Sequence, residues 1–199
     1  EFIPVFEKNK FIIQLDKYIY EKVCKDLKEW KEKYDKEIKI SVNISRQHLV
    51  QEEFIEEYYK IAKKYDIEPE EIELEITETT EIDVEIDKQL GITEILKKIK
   101  EKGFKISIDD FGTGYSSLNM LQDMPVDVIK IDKSFINQEK MLEIIMMMAK
   151  NLNLKTVAEG VETEKQVEIL KDLGVNLLQG YYFSKPLKKI EFEKYWQNN

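Results

Sequence analysis

The chain has 199 residues, about two-fifths of them apolar, which is enough for one sizeable core and one domain. It has no unbroken apolar run of about eighteen residues, no basic-then-apolar start and a single cysteine, Cys24, which argue against a transmembrane span, a signal peptide and a disulfide framework and point to a reducing, cytoplasmic setting. A formal charge of −9 with one arginine, Arg46, argues against a broad nucleic-acid surface and means that an anionic ligand would need local cations, metals included.

The chain opens on EFIPVFEKNK without an initiator Met, and on that ground is expected to be an excerpt of something larger. Phe11 to Tyr34 reads as a helix, with Leu15, Tyr18, Ile19, Val23, Leu27 and Trp30 at helical spacing. Ile38 to Ser45 alternates strictly and reads as a strand. Helix Phe54–Tyr65 follows, then strand Ile72–Thr77, then a helix from Asp87 to Lys102 stopped by Gly103. Strand Phe104–Ile108 precedes a short helix after Tyr115. Strand Val126–Ile131, helix Lys140–Asn151 and strand Lys155–Ala158 come next. Thr163 and Gln166 form a capping-box pattern opening a helix that ends before Gly174. Val175–Leu178 is the last strand and Ile190–Trp196 the last helix. This repeated strand–helix unit is the signature of a parallel sheet with crossover helices. A closed (β/α)₈ barrel needs eight strands and about 250 residues. The six strands counted here imply, for a barrel, two strands absent from the N-terminal side.

Polar residues stand where these strands stop: Asn43, Glu75, Asp109 with Asp110, Lys130, Glu159 and Gln179. In a parallel αβ sheet those ends share one face, where such folds place their active sites. Several close carboxylates repel unless cations offset them. An oxygen-rich set with one amide suits hard divalent ions such as Mg²⁺ or Mn²⁺, and a pair of them can clamp a phosphodiester. Within a strand adjacent side chains face opposite ways, so Asp109 and Asp110 can serve one site only if the chain bends there. Each feature alone has a plainer reading. A lone Asp at a strand end is commonly a turn residue, Lys130 a surface lysine, and His48 a loop residue. Gly112 and Gly114 match no common nucleotide fingerprint, and Met146–Met148 reads as core packing.

Together the segments EFIPVFEKNKFI, SVNIS, LEITET, IDDFGTGYSSL, PVDVIKIDKSFI, VAEGVET and QGYYFSKPL, in this order, resemble the EAL-domain family of cyclic di-GMP phosphodiesterases. The resemblance implies a TIM-like (β/α) barrel and hydrolysis of cyclic di-GMP to linear pGpG with two Mg²⁺ or Mn²⁺ ions. It implies that Asn43, Glu75, Asp109 and Asp110 are metal ligands, with Asp109 bridging. It makes Lys130 the residue that holds the attacking water and Glu159 the general base or a second-metal carboxylate. Gln179 becomes a polar contact to the metal-bound site, Glu78 the residue that steadies the DFGTGYSS loop, and Glu162 a further site-supporting residue. Family practice adds a homodimer and flanking sensory or diguanylate-cyclase-like domains as expectations.

The sequence also departs from the family. The Glu-Ala-Leu motif and the arginine that follows it are not in these residues. The 199 residues are therefore expected to be a partial EAL domain whose first two strands are absent, and inactive by itself. The alternative to the enzyme is a catalytically inactive module that binds cyclic di-GMP or serves dimerisation.

Overall fold

The structure is a computed structural model that describes residues 2–34, 38–50, 52–78, 91–112 and 118–198. Among these residues the strands are β1 (Ile40–Asn43), β2 (Ile72–Thr77), β3 (Lys105–Phe111), β4 (Val128–Ile131), β5 (Lys155–Ala158) and β6 (Leu177–Leu178). The helices are α1 (Ile3–Lys8), α2 (Ile12–Tyr34), α3 (Glu53–Lys64), α4 (Ile92–Glu101), α5 (Leu118–Asp123), α6 (Glu139–Asn151), α7 (Glu164–Asp172) and α8 (Lys189–Asn198). Strand order in the sheet follows chain order, β1-β2-β3-β4-β5-β6. No described helix is long and apolar enough to cross a membrane. The chain forms two compact units, Glu1–Ile129 and Lys130–Asn199.

In the first unit β1, β2 and β3 pair in parallel, with Val42 opposite Leu74 and Leu74 opposite Ile106. The alternation in ISVN, IELEIT and KISIDD sorts these strands into two faces. Val42, Leu74, Ile76, Ile106 and Ile108 form the apolar face and are buried. Ser41, Glu73, Glu75, Ser107 and Asp109 lie on the other, where Ser41 Oγ donates to Glu73 Oε1 at 3.3 Å. Tyr20 of α2, Tyr58 of α3 and Phe104 are fully buried together, the Tyr20 and Tyr58 rings 4.1 Å apart. Burying each such side chain contributes roughly 1.5–3 kcal/mol.

The buried stripe of α2 differs from the expected one. It is Ile12, Asp16, Tyr20, Cys24, Leu27 and Trp30, while Tyr18 and Ile19 are exposed. The helix turns its aromatic ring and thiol inward in preference to the more apolar isoleucine. Burial pushes the Cys24 thiol up to about 12, so it stays a neutral core group. Helix α1 was not expected. The expected Asp87 start of α4 lies outside the described residues, as do Gly114 and Tyr115.

In the second unit β5 and β6 pair in parallel, Val157 opposite Leu177 and Ala158 opposite Leu178. Helix α6 buries Leu142, Ile145 and Ala149, and α7 buries Val167 and Leu170. The capping box that opens α7 is present: Gln166 N–H donates to Thr163 Oγ1 at 3.3 Å, and Thr163 N–H to Gln166 Oε1 at 3.0 Å. The methionine run is not uniform core. Met147 is 62% exposed, because three successive helical positions cannot all face one way.

Candidate functional site

In the first unit the parallel register brings three of the expected ligands to neighbouring positions. Asn43 ends β1 opposite Glu75 of β2. Glu75 stands opposite Ser107 of β3, and Thr77 opposite Asp109, so Asn43, Glu75 and Asp109 share the polar face. Glu75 is buried, 5% exposed, and Asp109 is half-buried. Strand β3 runs on to Phe111 instead of stopping at Ile108, so both aspartates are strand residues. Simple alternation would send Asp110 to the opposite face from Asp109. The backbone prevents it: Asp110 has φ +53°, in the left-handed region that Asp and Asn tolerate best among non-glycine residues. The turn at Asp110 breaks the alternation and frees its exposed carboxylate from the apolar side.

The segment after these aspartates is held by Glu78. Its N–H donates to Asp109 O at 2.9 Å, and its Oε2 accepts from Gly112 N–H. Gly112 has φ +97°, a conformation that L side chains rarely adopt. Arg46 lies in the 3₁₀ turn Arg46–Val50 after β1, and its Nε donates to Thr77 O at 3.0 Å. Burial lowers the pKa of its guanidinium while the charge of Glu78 acts in the opposite sense. The donors at these strand ends are an amide and carboxylate oxygens, the set that suits Mg²⁺ or Mn²⁺ and not a soft metal.

In the second unit the site residues are arranged differently. All four residues of β4 are buried, which leaves no water for a lysine in that strand. Lys130 is nonetheless there, 5% exposed, with its Nζ 2.6 Å from Glu159 Oε1. Glu159 follows the end of β5, and its N–H donates to Ile131 O at 3.0 Å. The plain reading of Lys130 as a surface lysine therefore does not hold. Behind Glu159, Gly160 has φ +68°, and a Cβ there would lie 2.6 Å from Lys133 Cβ.

Gln179 is exposed just past β6. Its N–H donates to Ala158 O at 2.8 Å and its carbonyl accepts from Val161 N–H at 3.0 Å. Next to it, Gly180 lies so close to Val161 that a Cβ would stand 2.1 Å from the Val161 carbonyl oxygen. The phrase QGYY is thus a close backbone crossing. Glu162 is exposed, and its N–H donates to Gln166 Oε1 at 2.8 Å as part of the entry to α7.

Three residues that sequence reasoning passed over matter to this geometry. Arg46 was noted only for its rarity. Gly180 carried no signal beyond being a glycine beside Gln179. Asp16 was detectable in principle, because it occupies a core position of α2. His48 is not a plain loop residue either: it is buried in the 3₁₀ turn, with Nε2 3.2 Å from Asp16 Oδ2.

The chain is similar over its length to known proteins. It is 36% identical to the signaling protein YkoW of Bacillus subtilis over 203 residues, covering 98% of this chain and 25% of YkoW. It is 35% identical to the bifunctional diguanylate cyclase/cyclic di-GMP phosphodiesterase MucR of Pseudomonas aeruginosa, covering 94% of this chain and 28% of MucR. The chain thus spans about a quarter of the length of these two relatives. The solved structure of the PaMucR phosphodiesterase in complex with c-di-GMP superposes with a TM-score of 0.86 at 34% identity, covering 96% of this chain and 78% of that one. That likeness bears out the α/β, TIM-like fold expected from the sequence. Residues 1–186 match the EAL domain, and with a match of that extent the chain belongs to the EAL domain family.

Proposed function

We propose that this chain belongs to a cyclic di-GMP phosphodiesterase, which opens one of the two phosphodiesters of the ring to give linear pGpG. The observation that carries this reading is the Asp109–Asp110 pair, in which a left-handed Asp110 follows Asp109 at the end of a parallel strand. A strand end that bends to present two carboxylates is a costly arrangement for packing and a useful one for holding divalent cations. The names of MucR and of its c-di-GMP complex give the substrate class in relatives.

In this reading Asn43, Glu75, Asp109 and Asp110 would hold Mg²⁺ or Mn²⁺. When bound, such ions lower the pKa of a water and offset the charge that develops on the phosphate. The chain's own residues do the rest. Glu159 orients the attacking water and accepts its proton. The Lys130 ammonium, 2.6 Å from Glu159, keeps that carboxylate in place and offers a donor to the water. Glu78 keeps the turn after Asp110 in shape through Gly112 N–H. Gln179 contributes an exposed amide, and Glu162 supports the entry to α7.

The test is hydrolysis of cyclic di-GMP with Mn²⁺, followed by chromatography of the nucleotides, on the whole protein and on residues 1–199. Formation of pGpG that is lost in Asp109→Asn supports the reading. Binding of cyclic di-GMP without any product from the whole protein would replace it with the binding-module reading. Product from the whole protein but not from residues 1–199 would agree with the expectation that this stretch alone is inactive.

A further inference from the structure

A buried carboxylate stands apart from the strand-end set. Asp16 lies on α2 among Ile12, Tyr20 and Cys24, and is 6% exposed. A charged group at such a position is disfavoured unless hydrogen bonds replace its lost water. Two contacts that Asp16 makes come from one short segment. Ser45 N–H donates to Asp16 Oδ2 at 2.8 Å, and His48 Nε2 lies 3.2 Å from the same oxygen. The same Nε2 is 3.4 Å from the Tyr58 hydroxyl, so the ring stands between the carboxylate and α3. His48 is fixed in turn. Its backbone N–H donates to Ser45 O at 3.0 Å, and its ring packs against Phe54 and Tyr58.

What these bonds hold is the point where β1 leaves the sheet. Ile44 N–H donates to Glu75 O at 3.0 Å, one residue past Asn43. Successive N–H groups of a parallel strand point to alternate sides, so Ser45 N–H points away from β2. Asp16 takes it there. The backbone just after Asn43 is therefore pinned on one side by Glu75 O and on the other by the Asp16 carboxylate. Arg46, next in the chain, adds its bond to Thr77 O.

We propose that Asp16 is a positioning residue for Asn43, fixing the end of β1 so that the Asn43 amide stands beside Glu75 at the height where a divalent cation is held. This rests on the reading of Asn43 as a metal ligand. Asp16 touches neither cation nor substrate, and acts through Ser45 and His48.

The experiment measures Mn²⁺ affinity directly, by calorimetry on the whole protein without nucleotide, for wild type, Asp16→Asn, Asp16→Ala, Asn43→Ala and the doubles. Losing a residue that orients a ligand lowers metal affinity roughly 10–100-fold. Asp16→Ala is expected near the lower end of that range. Asp16→Asn keeps the shape and an acceptor for Ser45 N–H and is expected to lose less. In the Asn43→Ala background both changes are expected to have no further effect. An equal loss in both backgrounds would show general loosening and overturn the proposal, as would unchanged affinity in the Asp16 single variants. If Asp16→Ala does not fold by circular dichroism, the Asp16→Asn pair decides on the same terms. Unchanged Mn²⁺ binding in Asn43→Ala would overturn the ligand reading and this proposal with it. A silent Asp16 beside an effective Asn43→Ala overturns the proposal alone.

Discussion

At the end of β3, Asp109 and Asp110 are placed by the backbone, whereas Lys130 within β4 and Glu159 just past β5 are placed by each other. In the first unit the left-handed Asp110, the Glu78–Gly112 bond and the parallel register hold oxygen donors in position. In the second, a lysine inside a fully buried strand is tolerated because a carboxylate sits 2.6 Å from it. Donors proposed to hold a cation have to be held apart by something other than their own charges. A pair that carries both signs can be part of what holds its unit together. Removing a charge should therefore cost binding in the first unit and stability in the second.

The largest effect is expected where the second unit also depends on backbone shape. Gly180→Ala places a Cβ 2.1 Å from the Val161 carbonyl oxygen and 2.3 Å from its nitrogen. Neither is the end of a flexible side chain, so the crossing beside Gln179 has to open. A loss of about 3 kcal/mol or more is expected in urea unfolding. Gly174→Ala isolates conformational strain, because its φ is +79° with nothing within 4 Å of the added Cβ, and it should cost about 1 kcal/mol. Equal losses in the two variants would show that the close approach is not what matters.

Next comes the charge comparison itself. Lys130→Met leaves the Glu159 carboxylate, only 19% exposed, without its ammonium. Removing one partner of a buried pair costs about 3–5 kcal/mol when burial is complete, and the partial exposure of Glu159 brings the expectation to about 2 kcal/mol. Asp110→Asn keeps a residue type that accepts the left-handed conformation, at an exposed position, and should change stability by less than about 0.5 kcal/mol. In the proposed site it should still weaken Mn²⁺ binding. A large stability loss in Asp110→Asn, or none in Lys130→Met, would erase the distinction between the two units.

The sequence carried some of this more clearly than the rest, for physical reasons. Ile72–Thr77 and Lys155–Ala158 were legible to the residue, because alternation or apolar content ends sharply in a turn. From the sequence β3 reads as ending at Ile108, because the two aspartates have poor strand propensity; pairing of Asp109 with Thr77 overrides it. The rule that strand ends share a face picked out Asn43, Glu75 and Asp109. It could not give the φ of Asp110, nor the approach of Lys130 to Glu159, since one is a local twist and the other a side-chain contact between two strands. Asp16 was hidden by a choice of stripe: ranking α2 positions by apolarity selects Ile19 over the carboxylate that the fold buries.

The smallest effect sharpens the comparison from within the first unit, away from the strand ends that carry the proposed ligands. Asp127 precedes β4 and exchanges two hydrogen bonds with Ile106: its N–H donates to Ile106 O at 2.9 Å and its Oδ2 accepts from Ile106 N–H at 2.9 Å. Lys100 Nζ lies 2.5 Å from Oδ1. Partial burial alone would raise the pKa of this carboxyl, but the bonds from Lys100 and Ile106 outweigh it and hold the group below its ordinary value. A depressed folded pKa contributes stability that is fully present above the unfolded value of about 3.9 and is lost as pH falls through the folded one. Asp127→Asn removes that contribution, so its unfolding free energy should vary less than that of the wild type between about pH 4 and pH 2. Identical acid limbs for the two proteins would mean that Asp127 titrates alike folded and unfolded. A flattened limb would show that the first unit, too, uses an ion pair for stability where no cation has to bind, and keeps its backbone-held carboxylates for the strand ends.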